Sequence, residues 1–281
     1  DPGEVWAQAQ VELDNWSCLL NATGGALKPE KCLWYFVDYE CTEGEWRYAE
    51  PAPREMRITN PDGSTSPIIQ EHVTQSKKML GIHDSPSGGN DAHLTYIQEK
   101  VRTWVGRMIN GHLPSHMAWV AYRHQLWPGV RYGLGTMTND LEVTDDLLHK
   151  EDYRMLNVLG VVRSVTKRLR CLHTTFGGFG LFSLPVEQLI CRVNMLMQHF
   201  HTPTKLSKKF DASIRYLQLQ LGTPHNPFLL DYETWGYLAP LSWVKMLWRT
   251  LHYFDIHLYM AYPSIALPRE RDLVLMEIFH A

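Results

Sequence analysis

The sequence has no strong excess of either charge and no long apolar run. Its 281 residues include 27 Lys and Arg against 30 Asp and Glu, so the formal net charge is −3. This balance excludes a protein whose whole surface attracts nucleic acid, and any polynucleotide contact must come from local positive patches. No apolar stretch approaches the roughly 20 residues that a membrane-spanning helix needs, and we therefore expect no membrane partner.

Cysteines and nucleotide-binding motifs are also scarce. The five Cys form no Cys-x-x-Cys pair, which favours free thiols in a reducing compartment over a disulfide framework. We therefore expect an intracellular protein, in the cytoplasm or the nucleus. The glycines of Gly133-Leu-Gly135 and of residues 177–180 do not complete a phosphate-loop pattern, and the sequence has no Gly-x-Ser-x-Gly elbow.

The pattern of apolar residues changes near residue 90. Before this point the sequence predicts one helix, several short strands and a turn at Pro61-Asp62-Gly63. We place the helix at residues 6–20, with Val11, Leu13, Trp16, Leu19 and Leu20 near one face, and the strands at residues 33–39, 45–48 and 79–82. Strands followed by helices indicate an α+β protein, with a small strand-containing region first and a mainly helical region after it.

Apolar residues beyond residue 90 recur at helical spacing. Asp91, Ser115 and Thr144 are predicted to cap helices, and Pro128-Gly129 to end the second of them. Thr144 would then place Asp145 and Asp146 in a first helical turn. The predicted helices span residues 91–110, 116–127, 145–159, 161–172, 185–201, 206–221 and 242–259, with a loop at 224–240 and a polar tail from Pro263.

One stretch near the start of the chain combines several signals. Residues 19–39 read LLNATGGALKPEKCLWYFVDY. They predict a helix end, a break at Gly24 and Gly25, a turn that carries Lys28 and Lys31, and an apolar strand. Helix, glycine break, charged turn and strand in this order are typical of an α/β layer.

This stretch resembles motif D of the reverse-transcriptase palm, in which a small-residue turn presents one lysine near the incoming nucleotide. Residues 77–82, KKMLGI, resemble the motif E hairpin that follows it and grips the primer end. The whole chain, including GHLPSHMAWVAYRHQLWPGVRYGLGT and FGGFGLFSLPVEQLI, is similar to the back half of protist retroelement reading frames that encode a reverse transcriptase.

The resemblance implies a division into three parts and a function. Residues 1–90 would be the end of the palm, residues 91–175 a helical thumb-like region and residues 176–281 a helical C-terminal extension. The complete enzyme would synthesise DNA on RNA, with an RNA template, a DNA primer and dNTP as partners. Its Mg²⁺ would be held by paired aspartates upstream of Gly24 and outside this chain, so we expect no metal site here and no activity of this fragment alone.

Lys31 is the candidate catalytic residue by this resemblance. A lysine near the leaving pyrophosphate can donate a proton to it or stabilise its charge. Gly24 and Gly25 would give the turn its conformational freedom. Lys28, three positions away, could take the same role or bind nucleic acid, and a turn lysine that only faces water is the alternative for both.

Two further groups of cations are candidate nucleic-acid contacts. Lys77 and Lys78 precede a strand and could touch backbone phosphates, although exposed lysines on an edge strand also prevent aggregation. The second group has four cations and no acid within eight residues; it consists of Arg163, Lys167, Arg168 and Arg170. On one helix, Arg163, Lys167 and Arg170 would share a face suited to a duplex backbone, or would form an ordinary solvated face.

No spacing in the sequence predicts a metal site. Asp145 and Asp146 would need a tight turn between two strands to hold metal ions, whereas they are predicted to open a helix. The pairs His112/His116 and His199/His201 have no companion ligands. The alternative to a polymerase fragment is a non-catalytic helical binding module or a degenerate retroelement remnant.

Overall fold

Helices account for 54% of the chain and strands for 11%, in a computed structural model that describes residues 2–50, 52–200, 202–260 and 278–279. The α+β prediction is confirmed. The chain divides into two compact units: Asp1–Lys78 with Asp84–Gly89 forms the first, and Met79–His83 with Asn90–Ala281 forms the second. Within the described ranges, no helix is both long and apolar enough to cross a bilayer.

The chain up to residue 89 forms a helix, a small mixed sheet and short hairpins; of these residues, Met79–His83 are counted with the second unit. Helix α1 (Pro2–Ala22) precedes the strands, which are β1 (Leu33–Tyr35), β2 (Tyr39–Thr42), β3 (Glu45–Tyr48), β4 (Met56–Thr59), β5 (Thr65–Glu71), β6 (Lys77–Met79) and β7 (Ile82–Asp84). The three-stranded sheet has the order β1-β5-β4, with β1 parallel and β4 antiparallel to β5. β2 pairs with β3 and β6 pairs with β7 in separate two-stranded sheets.

Helix α1 packs against the edge strand β4. Met56, Ile58 and Ile68 form the buried core of this unit, and Trp6 and Leu13 pack on it. Polar side chains of α1 bind the strand as well. Gln10 exchanges two hydrogen bonds with the backbone of Arg57, of 2.8 and 3.0 Å, and the Ser17 hydroxyl donates to the Thr59 carbonyl oxygen at 3.0 Å.

The buried face of α1 differs from the predicted one. The predicted face includes Val11, Trp16 and Leu19, which are 56%, 54% and 57% exposed. Leu13 of the predicted face does pack on the core. The remaining contacts with β4 come from Gln10 and Ser17, because the edge strand offers backbone groups that polar side chains can bind.

Two strand predictions also need correction. The strand predicted over residues 33–39 is shorter, since β1 stops at Tyr35 and β2 starts at Tyr39. The strand predicted at residues 79–82 is wrong, because its middle is a turn in which Leu80 and Gly81 have φ of +49° and +92°. Two central residues with positive φ are typical of a tight two-residue hairpin. The strand at Glu45–Tyr48 is confirmed, and so is the turn at Pro61-Asp62-Gly63, between β4 and β5.

The second unit is helical. Its helices are α2 (Asp91–Asn110), α3 (Ser115–Ala121), α4 (Trp127–Arg131), α5 (Leu141–Asp146), α6 (His149–Val158), α7 (Lys167–Cys171), α8 (Leu184–Phe200), α9 (Lys205–Leu221), α10 (Tyr232–Trp235) and α11 (Trp243–Tyr253). They form two apolar clusters. The first centres on α2 to α4 and α6, with Ile97, Val105 and Leu134 fully buried. The second centres on α8, α9 and α11, with Leu196 and Leu247 fully buried.

Helix α2 matches its predicted bounds, but three predicted caps do not form. Asn90 precedes α2 and Pro114 precedes α3, and neither makes a side-chain cap. Asp91 and Ser115 are therefore the first helical residues. Thr144 lies inside α5, where its hydroxyl donates to the Asp140 carbonyl oxygen at 3.0 Å.

The helix through Pro128 continues where an end was predicted. A wide π-helical turn, Tyr122–Leu126, joins α3 to α4, and Pro128 lies in the first turn of α4. Proline has no N–H to donate, and here the missing bond falls directly after the wide turn, where the regular α-helical pattern is already interrupted. Trp127 and Val130 of α4 are buried in the first cluster.

The last predicted helix is shorter than expected. α11 ends at Tyr253, and Ser242 caps it by accepting from the Lys245 N–H at 3.2 Å. Trp248 is buried, and its indole donates to the Leu230 carbonyl oxygen at 2.9 Å. Trp243 packs against the same cluster. The predicted polar tail from Pro263 lies outside the described residues, apart from residues 278–279.

Candidate nucleic-acid interface

The glycine break closes the C-terminus of α1. Gly24 has φ of +79°, its N–H donates to the Asn21 carbonyl oxygen at 3.1 Å, and the Gly25 N–H donates to that of Leu20 at 2.9 Å. These two bonds define a Schellman motif, in which a left-handed residue satisfies the last helical carbonyls. The chain leaves α1 in a fixed direction as a result.

Lys28 and Lys31 lie on a short 3₁₀ turn directly before β1. The turn spans Pro29–Lys31 and is closed by a 2.9 Å bond from the Lys31 N–H to the Lys28 carbonyl oxygen. A 3₁₀ turn has three residues per turn, so positions 28 and 31 lie on the same side of it. Both side chains are exposed, and within the described part of the chain neither ammonium has a hydrogen bond or an ion pair.

Lys77 is neutralised by an acid of its own unit. Its ammonium lies 2.5 Å from a Glu71 carboxylate oxygen, and the Glu71 side chain is only 16% exposed. The Tyr35 hydroxyl, which donates to the Gln75 carbonyl oxygen at 3.0 Å, belongs to the same cluster. Burial, followed by the Glu71 carboxylate, raises the pKa of Tyr35. Lys78, the next residue, has an exposed side chain.

The two lysine groups of the first unit lie toward opposite ends of the parallel strands β1 and β5. Lys31 precedes Leu33, which pairs with Ile69. Lys77 binds Glu71, whose strand partner is Tyr35 at the other end of β1. The sheet therefore does not bring Lys31 and Lys77 into one cluster.

The predicted helical face of Arg163, Lys167 and Arg170 does not exist. α7 starts only at Lys167, because Thr166 is extended and its hydroxyl accepts from the Leu169 N–H as an N-cap. Arg163 lies before the helix. It donates from Nε to the Asn157 side-chain oxygen at 3.2 Å, and its guanidinium is 5.8 Å from the centre of the Tyr153 ring.

Two of the three cations of α7 have partners nearby. The Lys167 ammonium pairs with the Asp145 carboxylate, and Arg170 donates from Nε to the Val165 carbonyl oxygen at 2.9 Å. Burial raises the pKa of Asp152, an effect that the nearby Arg170 and Lys167 charges oppose. Arg168 is exposed, and its side chain makes no hydrogen bond or ion pair within residues 2–50, 52–200 and 202–260.

Asp145 and Asp146 lie at the end of a short helix and not on a turn between two strands. The prediction that they open a helix is wrong, because they are the last two residues of α5. Their expected lack of a metal role stays a prediction, and Asp145 already has Lys167 as a partner. Over the described residues, no group of three or more His, Cys, Asp or Glu could hold a metal ion.

The sequence reasoning missed residues that only the fold brings together. Tyr253 and Phe254, at the end of α11, line the same cleft as Lys167 and Arg168, although more than 80 positions separate them. That Tyr253 and Phe254 are adjacent is visible in the sequence. Their position beside a cationic helix could not be read from spacing.

Comparison with known proteins adds no assignment. No family model matches the chain, and neither a curated protein nor a solved structure matches it. The case for a function therefore rests on the residues and their geometry.

Proposed function

We propose that this chain forms the palm edge and thumb of a reverse transcriptase that carries out template-directed DNA synthesis on RNA. The observation that carries the proposal is the order of elements in the first 90 residues. A helix ends in a glycine turn at Gly24, two exposed lysines follow on a short 3₁₀ turn, and a strand starts directly after them. About forty residues later a tight hairpin carries Lys77 and Lys78 on its first strand.

Lys28 and Lys31 are the residues to which we give a role in the chemistry. The leaving pyrophosphate gathers negative charge as a nucleotide is added, and an ammonium group close to it stabilises that charge or donates a proton. An exposed ammonium without a bound acid can take a phosphate partner without first losing another partner. Since both lysines lie on one side of the turn, either can fill the role.

Lys77 would act differently from these two lysines. Its charge is held by Glu71, so binding a primer phosphate requires exchange of one anion for another. A phosphate that replaces Glu71 as the partner of Lys77 gains less binding free energy, because the Glu71 carboxylate is left without its partner. We therefore assign Lys77 and Lys78 to positioning of the primer backbone, and Arg163, Lys167, Arg168 and Arg170 stay predicted nucleic-acid contacts.

The proposal includes Mg²⁺ only in the complete enzyme. Two-metal nucleotidyl transfer needs carboxylates that hold the ions, and we propose that residues outside these 281 supply them. The partners would be an RNA template, a DNA primer and dNTP, inside the cell. We expect no nucleotide incorporation by the isolated chain with magnesium, and incorporation would contradict the proposal.

A salt series of duplex binding tests the proposal. Binding of the isolated chain to a labelled RNA–DNA primer-template is measured by fluorescence anisotropy, for the wild type and for a Lys28→Ala/Lys31→Ala variant. Each phosphate contact that is lost lowers the slope of log K against log salt by about 1. We expect the double variant to bind more weakly with a slope smaller by up to about 2.

A second double variant controls for loss of charge alone. Lys208 and Lys209 are exposed lysines on α9, and a Lys208→Ala/Lys209→Ala variant has the same net charge as the test variant. It should bind as the wild type does. Equal loss in both variants, or no duplex binding at low salt, would reject the assignment and favour the non-catalytic helical module or retroelement remnant.

A further inference from the structure

A cleft in the second unit has the size and chemistry of a nucleotide site. Its cavity volume is about 510 Å³, and the ends of α5, α7 and α11 line it together with the start of α8. A smaller hollow adjoins it, and the two share Asp145, Lys167 and Cys171 in their walls. Sites for small ligands in proteins have volumes of roughly 300–1,000 Å³.

Two cations and two acids line the cleft, and one of the acids, Glu142, is paired with Arg249 at 3.2 Å. Lys167 and Arg168 are neighbours at the start of α7, and both line the larger part. Lys167 is held by Asp145, which also lines the cleft, whereas the Arg168 side chain makes no hydrogen bond or ion pair to any described residue. A phosphate group bound here would gain a charged donor from Arg168 at once, and a second from Lys167 by replacing Asp145.

Two aromatic rings form another side of the cleft. The ring centroids of Tyr253 and Phe254 are 5.0 Å apart, and the rings are nearly perpendicular at 89°. Tyr253 is 67% exposed, so a large ring surface faces solvent beside two cations. Flat aromatic ligands stack on such surfaces, and base stacking is tolerant of the identity of the base.

The smaller hollow holds a carboxyl group that can accept hydrogen bonds. Asp152 lines it together with Arg170 and Phe182. Burial raises the pKa of Asp152, and its side chain makes no hydrogen bond to any residue in the described ranges. A carboxylate accepts from amino groups on base edges, and a ligand donor would offset the cost of this burial.

We propose that this cleft binds one nucleotide, with its base stacked on Tyr253, its phosphate at Lys167 and Arg168, and a hydrogen-bond donor directed at Asp152. A free mononucleotide and the end of a single strand share this chemistry. The site does not depend on the proposed polymerase function, which rests on the lysines of the first unit.

Titration of the whole 281-residue chain with 5′-AMP at low salt tests the site by calorimetry. We expect saturable binding that weakens as salt rises. Arg168→Ala and Tyr253→Ala should each weaken it roughly tenfold, since a hydrogen bond to a charged group and a stacked ring are of similar strength. Lys208→Ala and Tyr216→Ala, at exposed positions on α9, are the matched controls and should leave it unchanged.

An Asp145→Asn variant gives a test with the opposite sign. Neutralising Asp145 releases Lys167 for the phosphate and removes a nearby negative charge, so AMP should bind several-fold more tightly. A change that merely disturbed the fold would weaken binding instead. Tighter binding by this variant therefore supports the site, and weaker binding contradicts it.

Three comparison ligands show whether the site binds a mononucleotide, the end of a strand or another phosphate compound. A single-stranded oligoadenylate that displaces AMP and binds more tightly would support the site and assign it to a strand end, whereas tighter binding of AMP would support it as a mononucleotide site. Inorganic phosphate should bind more weakly than AMP. No saturation by AMP, or phenyl phosphate binding as tightly as AMP, would overturn the proposal, the latter in favour of an aryl phosphate such as a phosphotyrosine peptide.

Discussion

Arg192 donates a 2.6 Å hydrogen bond from Nη2 to the carbonyl oxygen of Met137, from a side chain with no solvent exposure. Its Nη1 donates to the Thr250 hydroxyl at 3.1 Å. Throughout the described residues no carboxylate pairs with it, and burial lowers its pKa to about 10. Among the described residues of the second unit, this buried positive charge has only neutral hydrogen-bond partners.

Two substitutions at Arg192 should separate charge from packing. Arg192→Ala leaves a cavity and an unsatisfied Met137 carbonyl, and we expect it to lower the free energy of unfolding by about 3 kcal/mol. Arg192→Met fills most of the volume and removes the buried charge, so its effect should lie within about 1 kcal/mol of the wild type. Urea unfolding measures both. A methionine variant as unstable as the alanine variant would mean that the guanidinium bonds are essential.

Tyr122 links the wide turn to the start of α8. It is buried, and its hydroxyl oxygen accepts a 3.1 Å bond from the Phe182 N–H. Tyr122→Phe removes this acceptor and should cost about 1–2 kcal/mol at neutral pH. Burial raises the pKa of Tyr122 above its ordinary 10.0, so the folded state holds the phenolic proton more tightly than the unfolded state. The stability that the buried, protonated phenol contributes is therefore fully present below pH 10 and is lost progressively as pH rises from there through the folded pKa.

The loss of stability above pH 10 is the sharper measurement for this residue. Because Tyr122→Phe has no phenol at this position, its unfolding free energy should fall less steeply with pH than that of the wild type. Tyr216→Phe, at a 60% exposed position, is the control and should follow the wild-type profile. Parallel profiles for Tyr122→Phe and the wild type would contradict the burial argument.

Asp152 should make the protein less stable as pH rises. Burial raises the pKa of Asp152 above its ordinary 3.8, so the folded state binds the proton more tightly and stability falls as pH rises through the folded pKa. Asp152→Asn lacks this titration. The difference in stability between Asp152→Asn and the wild type should therefore shift in favour of the variant between pH 3.5 and pH 7. Thermal unfolding at both pH values measures it.

Asp231 provides a control of opposite sign. Its pKa is lowered, chiefly by the hydrogen bond from the Thr234 hydroxyl. The stability it contributes is present above pH 3.8 and is lost as pH falls through the folded pKa. Asp231→Asn should therefore be less stable than the wild type at pH 7, with a smaller difference at low pH. If the stabilities of Asp152→Asn and Asp231→Asn, each relative to the wild type, changed in the same direction with pH, the pKa shifts given to both carboxyl groups would be wrong.

The Schellman motif at the end of α1 predicts a difference between adjacent glycines. Gly24 has φ of +79° with open space around its Cα, so Gly24→Ala meets backbone strain and no clash. We expect it to destabilise the protein by about 1 kcal/mol. Gly25 has an ordinary φ, and the Cβ of an alanine there would lie 3.5 Å from the Leu20 carbonyl oxygen, an ordinary contact. Gly25→Ala should therefore cost less. Equal losses in urea unfolding would show that the left-handed position is not the cause.

Strong local patterns were sufficient for some elements and misleading for others. The bounds of α2 follow from apolar residues such as Ile97 and Val101 at helical spacing. The helix predicted over residues 161–172 failed because Gly160, with φ of +70°, ends α6, and because Thr166 binds the Leu169 N–H. Thr144 was expected to cap a helix, but a hydroxyl that binds the Asp140 carbonyl fits equally well inside α5.

The candidate sites were predictable to a similar degree. The lysine turn is local, so Lys28 and Lys31 could be chosen from sequence together with the glycines before them. The partners of other cations are not local. Glu71 for Lys77 and Asp145 for Lys167 lie 6 and 22 positions away, and tertiary packing alone decides whether a positive charge meets an acid or faces solvent.

The wide turn at Tyr122–Leu126 has a consequence for aligning related chains. The Trp127 N–H donates to the Tyr122 carbonyl oxygen, five residues back, so this helix contains one residue more than a regular α-helix of the same length. A relative with a regular helix would lack that residue. A one-residue gap then belongs between Ala121 and Trp127, because without it every later position would be displaced by about 100° around the helix axis. Trp127 and Val130, both buried, would then be matched with surface positions.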